Sequence, residues 1–497
     1  MISRIAFTLT VACVLVCFVI SCTHEPKPVT PVADGNFPPD VANIMITRCA
    51  TAGCHDQGSY VNASGLLLDT WDHLFNGDNF GAAVVPYWPQ YSPLLYFVNT
   101  DSSLGPVLQP TMPYAASLTK DEYNTLSNWI AAGAPDKNGN IPFGSNTAVR
   151  QKIYALCNDN GVDLVAVIDA QKKVIMRYIK VGISDADIEA GHDIKITSDG
   201  STAYESFYAG TTLQKMDVVN DAASGYANMG LGLWSIMLLD PNNPRLWVSS
   251  WESNGNVVAV NTGTMTTDGS HTYKSTNYPH GIAANSTFDT VFVTASNGNC
   301  IYKCTDPSNP PALISLDSAT ATDDPSFTSK ENLGPHAIWM SPDYSKYFVT
   351  LQNTNQVRVM DAHADTLIAV IPVGLYPQEM DASSNPATPY LFVSCKQDPT
   401  YATKTTLGSV YVIDYNTYAV KKVIYGNFFQ PHGVTVDNQN NLLYVFSLDA
   451  DGPAQHHAVK GNKDGWYNII DISTLAPYNY NNYELKAFPY NGAVRFK

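Results

Sequence analysis

Two regimes of apolar and polar positions divide the chain. Before about residue 136, apolar residues recur at helical spacing in short stretches separated by loops. Val41, Ile44 and Met45 fall on one face of a helix that Pro38-Pro39-Asp40 should start and that runs into Cys49. Thr119 and Glu122 have the spacing of a capping box. Tyr123, Leu126 and Ile130, with Trp129 flanking, supply the buried stripe behind it, and Gly133-Ala134-Pro135 stops the helix. After Asp136-Lys137-Asn138-Gly139-Asn140 nearly everything alternates with period two, punctuated by Gly, Asn, Asp and Pro, which is the pattern of strands joined by turns. A chain of 497 residues exceeds the ~250–300 at which a single core stops growing, so the switch near 136–148 reads as a domain boundary.

Within the second regime one phrase recurs. Its copies open His192-Asp193-Ile194, Trp234-Ser235-Ile236, His280-Gly281-Ile282, His336-Ala337-Ile338, Gln378-Glu379-Met380 and His432-Gly433-Val434, with starts 42, 46, 56, 42 and 54 residues apart. Periods of ~40–50 residues with four strands per unit belong to propeller blades. A seventh inner strand is expected at 491–496, completed by strands at 152–154, 164–169 and 174–178, so that both ends of the region share one blade and no sheet edge stays open. Six and eight blades are the neighbouring alternatives. The stretch from Ser341-Pro342-Asp343 through Gln356-Val357-Arg358-Val359-Met360-Asp361 to Pro372-Val373-Gly374 resembles the YVTN-type β-propeller family.

The first 22 residues change the setting. Arg4 leads into an apolar run that ends at Ser21-Cys22, the pattern of a secretory signal, and Val19-Ile20-Ser21-Cys22 resembles a bacterial lipobox. That resemblance implies cleavage before Cys22, lipid on Cys22, and residence at the cell envelope, on the periplasm-facing outer membrane. An uncleaved anchor or simple secretion are the alternatives, though the run is shorter than the ~20 residues that span a bilayer. Residues 23–37, rich in proline, form a tether. With the signal removed and Cys22 lipidated, six of the nine cysteines remain, too few for a disulfide scaffold of this size.

Cys49-Ala50-Thr51-Ala52-Gly53-Cys54-His55 carries the chemistry of the first regime. Two cysteines followed directly by histidine is how a c-type haem is attached and ligated, although four residues separate the cysteines here instead of two. Downstream, Pro110-Thr111-Met112-Pro113 holds a methionine in a loop, a thioether suited to the opposite face of the iron. The other reading is a Cys49–Cys54 disulfide with His55 at a loop end. Residues 38–135 resemble the class I-type cytochrome c domains of exported proteins of Bacteroidetes and Planctomycetes. The resemblance is carried by the Cys54-His55 pair, Gly65-Leu66-Leu67-Leu68-Asp69 before Trp71, Ser92-Pro93-Leu94-Leu95, Met112-Pro113 and Trp129-Ile130-Ala131-Ala132-Gly133-Ala134. It implies covalent haem c on Cys49 and Cys54, with His55 proximal and Met112 distal.

The fold expected is therefore multidomain: a 1–22 signal, a 23–37 linker, a small all-α cytochrome c-like domain over 38–136, and an all-β seven-bladed propeller over 148–497. His192, His280, His336 and His432 share one place in their blades and should ring one mouth of the central channel, with Trp234 and Gln378 interrupting. Such a ring either binds a metal or hydrogen-bonds neighbouring blades. Net charge of −16 argues against a nucleic-acid partner, and no nucleophile elbow, zinc helix or phosphate loop stands in the sequence. Three functions fit. One is electron transfer to a redox partner protein through haem. A second is a haem-free binding scaffold. The third is an oxidoreductase whose metal lies in the propeller and whose cytochrome is the electron outlet.

Overall fold

The computed structural model describes residues 33–144, 149–159, 161–184, 188–316, 332–401, 407–448, 464–479 and 482–496. The signal, the Cys22 lipobox and most of the tether lie outside them. Among the described residues no helix is long and apolar enough to cross a membrane.

Seven antiparallel sheets follow one another along the chain, which makes the second regime a seven-bladed propeller. Blades 2 to 7 begin at Gly191, Trp234, Pro279, Pro335, Leu375 and Pro431 with their inner strands. Blade 1 is assembled from both ends: Gly492–Arg495 pairs with Lys152–Asp159, matching Val494 to Ile153 and Arg495 to Lys152, and Val162–Asp169 and Ile175–Val181 complete it. Closure of this kind removes the exposed inner edges that an open run of blades would leave.

Between blades the packing is apolar, as the alternation demands: Phe348, Val357, Val359, Leu391 and Val393 are fully buried in one such layer. Toward the hub it becomes polar. Ser206, Ser249, Thr294, Thr350 and Ser394, each on the second strand of its blade, donate to the backbone carbonyls of Ser235, His280, His336, Gln378 and His432 on the next blade. Four of these hydroxyls also accept a backbone N–H of their own blade, from Asp193, Gly281, Ala337 and Glu379. The blades approach so closely there that a Cβ on Gly281 would sit 2.5 Å from the His336 carbonyl oxygen.

These bonds also correct one assignment. Strand pairing places Trp234 opposite Ser250 as Pro279 lies opposite Ala295, so Ser235, not Trp234, occupies the histidine position of blade 3. The misreading came from taking the larger side chain as the counterpart of histidine. Trp234 instead packs between blades against Tyr204 and Leu246.

Among the described residues the first regime holds four short α-helices, Pro39–Ile44, Trp71–Leu74, Pro93–Val98 and Lys120–Ala131, joined by turns. The closing helix has its capping box, with the Thr119 hydroxyl accepting from Glu122 N–H and the Glu122 carboxylate accepting from Thr119 N–H at 2.7 Å. Leu126, Trp129 and Ile130 are buried as the stripe requires, while Tyr123 is only partly covered. The core of this segment does not close on itself. Leu74, Leu95 and Ile130 belong to one continuous cluster with Tyr154, Val165 and Val174 of blade 1, and Phe80 O accepts from Glu484 N–H at 2.8 Å beside blade 7.

Candidate functional site

Two places collect the residues that the sequence singles out. In the helical segment, Pro39–Ile44 continues as a wider helical turn, Met45–Cys49, which ends at the first cysteine. Arg48 ties that turn to the closing helix through Glu122 at 3.2 Å and the Ser117 carbonyl at 2.7 Å. Cys49 is buried and Cys54 exposed, and both are free thiols, so the disulfide alternative is not formed. Burial pushes the Cys49 thiol up to about 12, which keeps it protonated.

His55 faces the carbonyl of Leu66, with Nδ1 at 3.0 Å. A donated bond there fixes the tautomer and leaves Nε2 as the ring's lone-pair donor, the arrangement of a ligating histidine. Met112 is half-buried against the same apolar cluster as Cys49, its backbone N–H held by Phe97 O at 2.7 Å. Nearby in sequence, Leu104, Val107, Leu108 and Tyr114 are exposed, and so is Val61. The donor types that a haem takes are all present in this segment: two free sulfurs, an imidazole with Nε2 turned away from its backbone bond, and a thioether.

The second place is the propeller hub. His192, His280, His336 and His432 do converge, and Tyr490, which precedes the closing strand, completes the circle. Successive ring centroids lie 5.5, 4.1, 5.8, 3.8 and 4.5 Å apart, running His192–His280–His336–His432–Tyr490 and back to His192. The circle skips blade 3, where small Ser235 leaves room for His192 to meet His280, and blade 6, where Gln378 turns to donate to Tyr376 O. All five rings are buried.

The histidines also reach across blades. Nδ1 of His280 faces His336 O at 3.4 Å, and Nδ1 of His432 faces Tyr490 O at 3.1 Å. The hydrogen-bonding role expected of such residues is therefore real for these two, and it turns Nε2 to the other side of each ring. Burial holds His280 neutral, its pKa lowered to about 4. His336 differs, with Nδ1 lying 3.4 Å from the Glu379 carboxylate.

Glu379 was not among the residues the repeat pointed to. It stands one position after Gln378, where the other blades carry Asp193, Ile236, Gly281, Ala337, Gly433 and Asn491. The signal was present in the break of Pro-His-Gly into Pro377-Gln378-Glu379. Burial raises its carboxyl to about 8, helped by Asp193 and opposed by Lys195. His280, His336 and Glu379 can each place one ligand atom within 4.8 Å of the others.

A cavity of about 490 Å³ opens from this level along the channel, lined by Lys195, Gly281, Ala337, Glu379, Asp381 and Asn491 among others. Asp193 does not join the cluster, because Met237 N–H, Lys195 and Asn491 already hold its oxygens at 2.8–2.9 Å.

Fold and sites together define a seven-bladed propeller that carries an N-terminal helical segment. No family model and no curated protein sequence matches the chain. Among solved structures it is similar to Kuenenia stuttgartiensis hydrazine synthase, at 16% identity and TM-score 0.44 over 59% of this chain and 79% of that one. It is also similar to a functionally unknown protein from Desulfotomaculum acetoxidans DSM 771, at 12% identity and TM-score 0.49 over 69% and 98%. Likenesses this distant carry no functional argument.

Proposed function

We propose that the chain is an exported, lipid-anchored c-type cytochrome that transfers electrons between envelope partners, with the propeller docking a partner protein or holding a substrate. Cys49 and Cys54 would hold the haem through thioethers, His55 and Met112 would ligate its iron, and Cys22 would carry the lipid. The observation that carries the reading is the His55–Leu66 bond of 3.0 Å beside two free cysteine thiols. When bound, a haem with histidine and methionine ligands supplies one-electron redox chemistry at a raised potential. The chain's part is to orient His55, to shield one face with apolar side chains, and to keep both ligands in place as charge changes.

The test is expression of the full chain in a host that matures c-type cytochromes. Covalent, haem-staining iron at one per chain is expected, and Met112→Ala should abolish the low-spin histidine/methionine spectrum while the haem stays attached. Colourless protein from that host would overturn the reading. An unchanged spectrum in the Met112 variant would assign the distal ligand elsewhere.

A further inference from the structure

We infer that the propeller hub is a second metal centre, in which His280, His336 and Glu379 bind one divalent first-row transition ion at the floor of the channel cavity. This goes beyond the haem reading and does not rest on it. The three ligand atoms lie within 4.8 Å of one another. Donors around an ion at ~2.1 Å are at most ~4.2 Å apart, so small side-chain adjustments close the site.

The donor set selects the ion. Two imidazoles with one carboxylate suit zinc, ferrous iron, copper or nickel, whereas calcium and magnesium need oxygen ligands throughout and thiolate-seeking ions find no cysteine in the trio. Support also comes from Glu379 itself. Its Oε1 is buried and makes no hydrogen bond, facing His336 Nδ1 at 3.4 Å. An unbonded carboxyl oxygen enclosed in this way is costly unless a proton or a metal cation compensates it. The scaffold is rigid where it matters, since His280 is held through Nδ1 to His336 O and both backbones are stapled by Ser249 and Thr294. That is the outer support a metal ligand needs.

Three protein ligands leave a coordination position open. The cavity of about 490 Å³ begins at Gly281 and Ala337, the residues that follow the two histidines, and at Glu379 itself. A small polar molecule entering there would meet the ion in a cavity that Lys195 and Asp381 also line. The hub is thus placed to be a substrate site and not only a structural plug.

The experiment uses the full chain, stripped with chelator and titrated with Zn²⁺ alone, with zinc counted by elemental analysis apart from any haem iron. One Zn²⁺ per chain with micromolar or tighter affinity is expected. Glu379→Gln keeps the shape and removes the charge, and should weaken Zn²⁺ at least ~10-fold without changing the far-ultraviolet dichroism. The His280→Gln/His336→Gln double variant should lose stoichiometric zinc, while His271→Gln, on the surface, should retain it. Because the double variant could fail to fold, Co²⁺ bound to the unaltered chain gives a second measurement, with a visible spectrum of nitrogen and oxygen donors expected. Folded wild-type chain that takes up neither ion at one per chain, or full zinc binding in folded double variant, would overturn the inference. Both results leave the haem question untouched, since haem is read from covalent haem staining and its spectrum.

Discussion

The helical segment and the propeller hub bury opposite kinds of side chain. In the described part of the helical segment the buried polar residues are Ser92, Asn99 and Asp136, set in an apolar core. The hub instead encloses His192, Asp193, Glu205, Ser206, Ser235, Ser249, His280, Thr294, His336, Thr350, Gln378, Ser394 and His432. Apolar burial is non-directional and is satisfied by any close packing. Buried polar groups require particular partners, and here those partners sit on the neighbouring blade, so they exist only once adjacent blades have docked.

The strongest way to break that contrast is to open the ring. Truncation before Asn491 removes the inner strand of blade 1, the buried side chains of Val494 and Arg495, and the 2.9 Å bond from Asn491 to Asp193. Loss of cooperative folding is expected, more than ~5 kcal/mol, because the inner-strand pairing of blade 1 and the contacts that join it to blades 2 and 7 all depend on this segment. A truncated chain melting within a few degrees of the full one would show that the blades stand independently. In the helical segment the corresponding blow is Leu126→Ala, at a fully buried position of the closing helix. It should cost ~3 kcal/mol in denaturant titration. A loss under ~1 kcal/mol would mean that the core is not built around that helix.

The same contrast governs what could be read from sequence. Local signals survived intact: the capping box at Thr119 and Glu122, the stripe through Leu126 and Ile130, and the stop at Gly133 need only neighbours a turn away. The propeller was legible because its period repeats, including a closing strand at the far end. The hub was only half legible. His192, His280, His336 and His432 could be aligned by spacing, but Ser235 was displaced by its larger neighbour Trp234, Glu379 shows only as a break in the Pro-His-Gly phrase, and Tyr490 carries no repeat signal. Their roles arise from side chains meeting across blades, a property of the closed ring and not of any window of sequence.

Electrostatics sharpen the contrast further. Glu205 is fully buried, and neither carboxylate oxygen makes a hydrogen bond. Burial, reinforced by Asp163 and Glu189, raises its pKa well above 4.5, and burial likewise raises Asp163 to about 6. The folded chain therefore keeps protons that the unfolded chain releases, and stability falls as pH rises from the unfolded values near 4 toward the folded ones. The slope is ~1.4 kcal/mol per unit for each such group. Melting temperature should be higher at pH 5 than at pH 8, and Glu205→Gln should flatten that difference. An unaltered pH profile in the variant would mean that Glu205 finds a compensating partner.

The finest test compares two threonine hydroxyls. Thr350 is fully buried and bridges two blades, accepting from Ala337 N–H and donating to Gln378 O, both at 2.9 Å. Valine keeps its volume but leaves a buried donor and a buried acceptor without water, so Thr350→Val should cost ~2 kcal/mol. Thr119 caps the closing helix at the surface. In Thr119→Ala the backbone N–H of residue 119 still reaches Glu122 at the 2.7 Å position, so half of the capping box persists, and water replaces the missing hydroxyl. The expected loss is ~1 kcal/mol or less. Equal losses would show that a hub hydroxyl is as replaceable as a surface one, and the polar ring would then be packing that happens to contain oxygen. A loss at Thr350 twice that at Thr119 would establish that the blades are held together by bonds water cannot imitate.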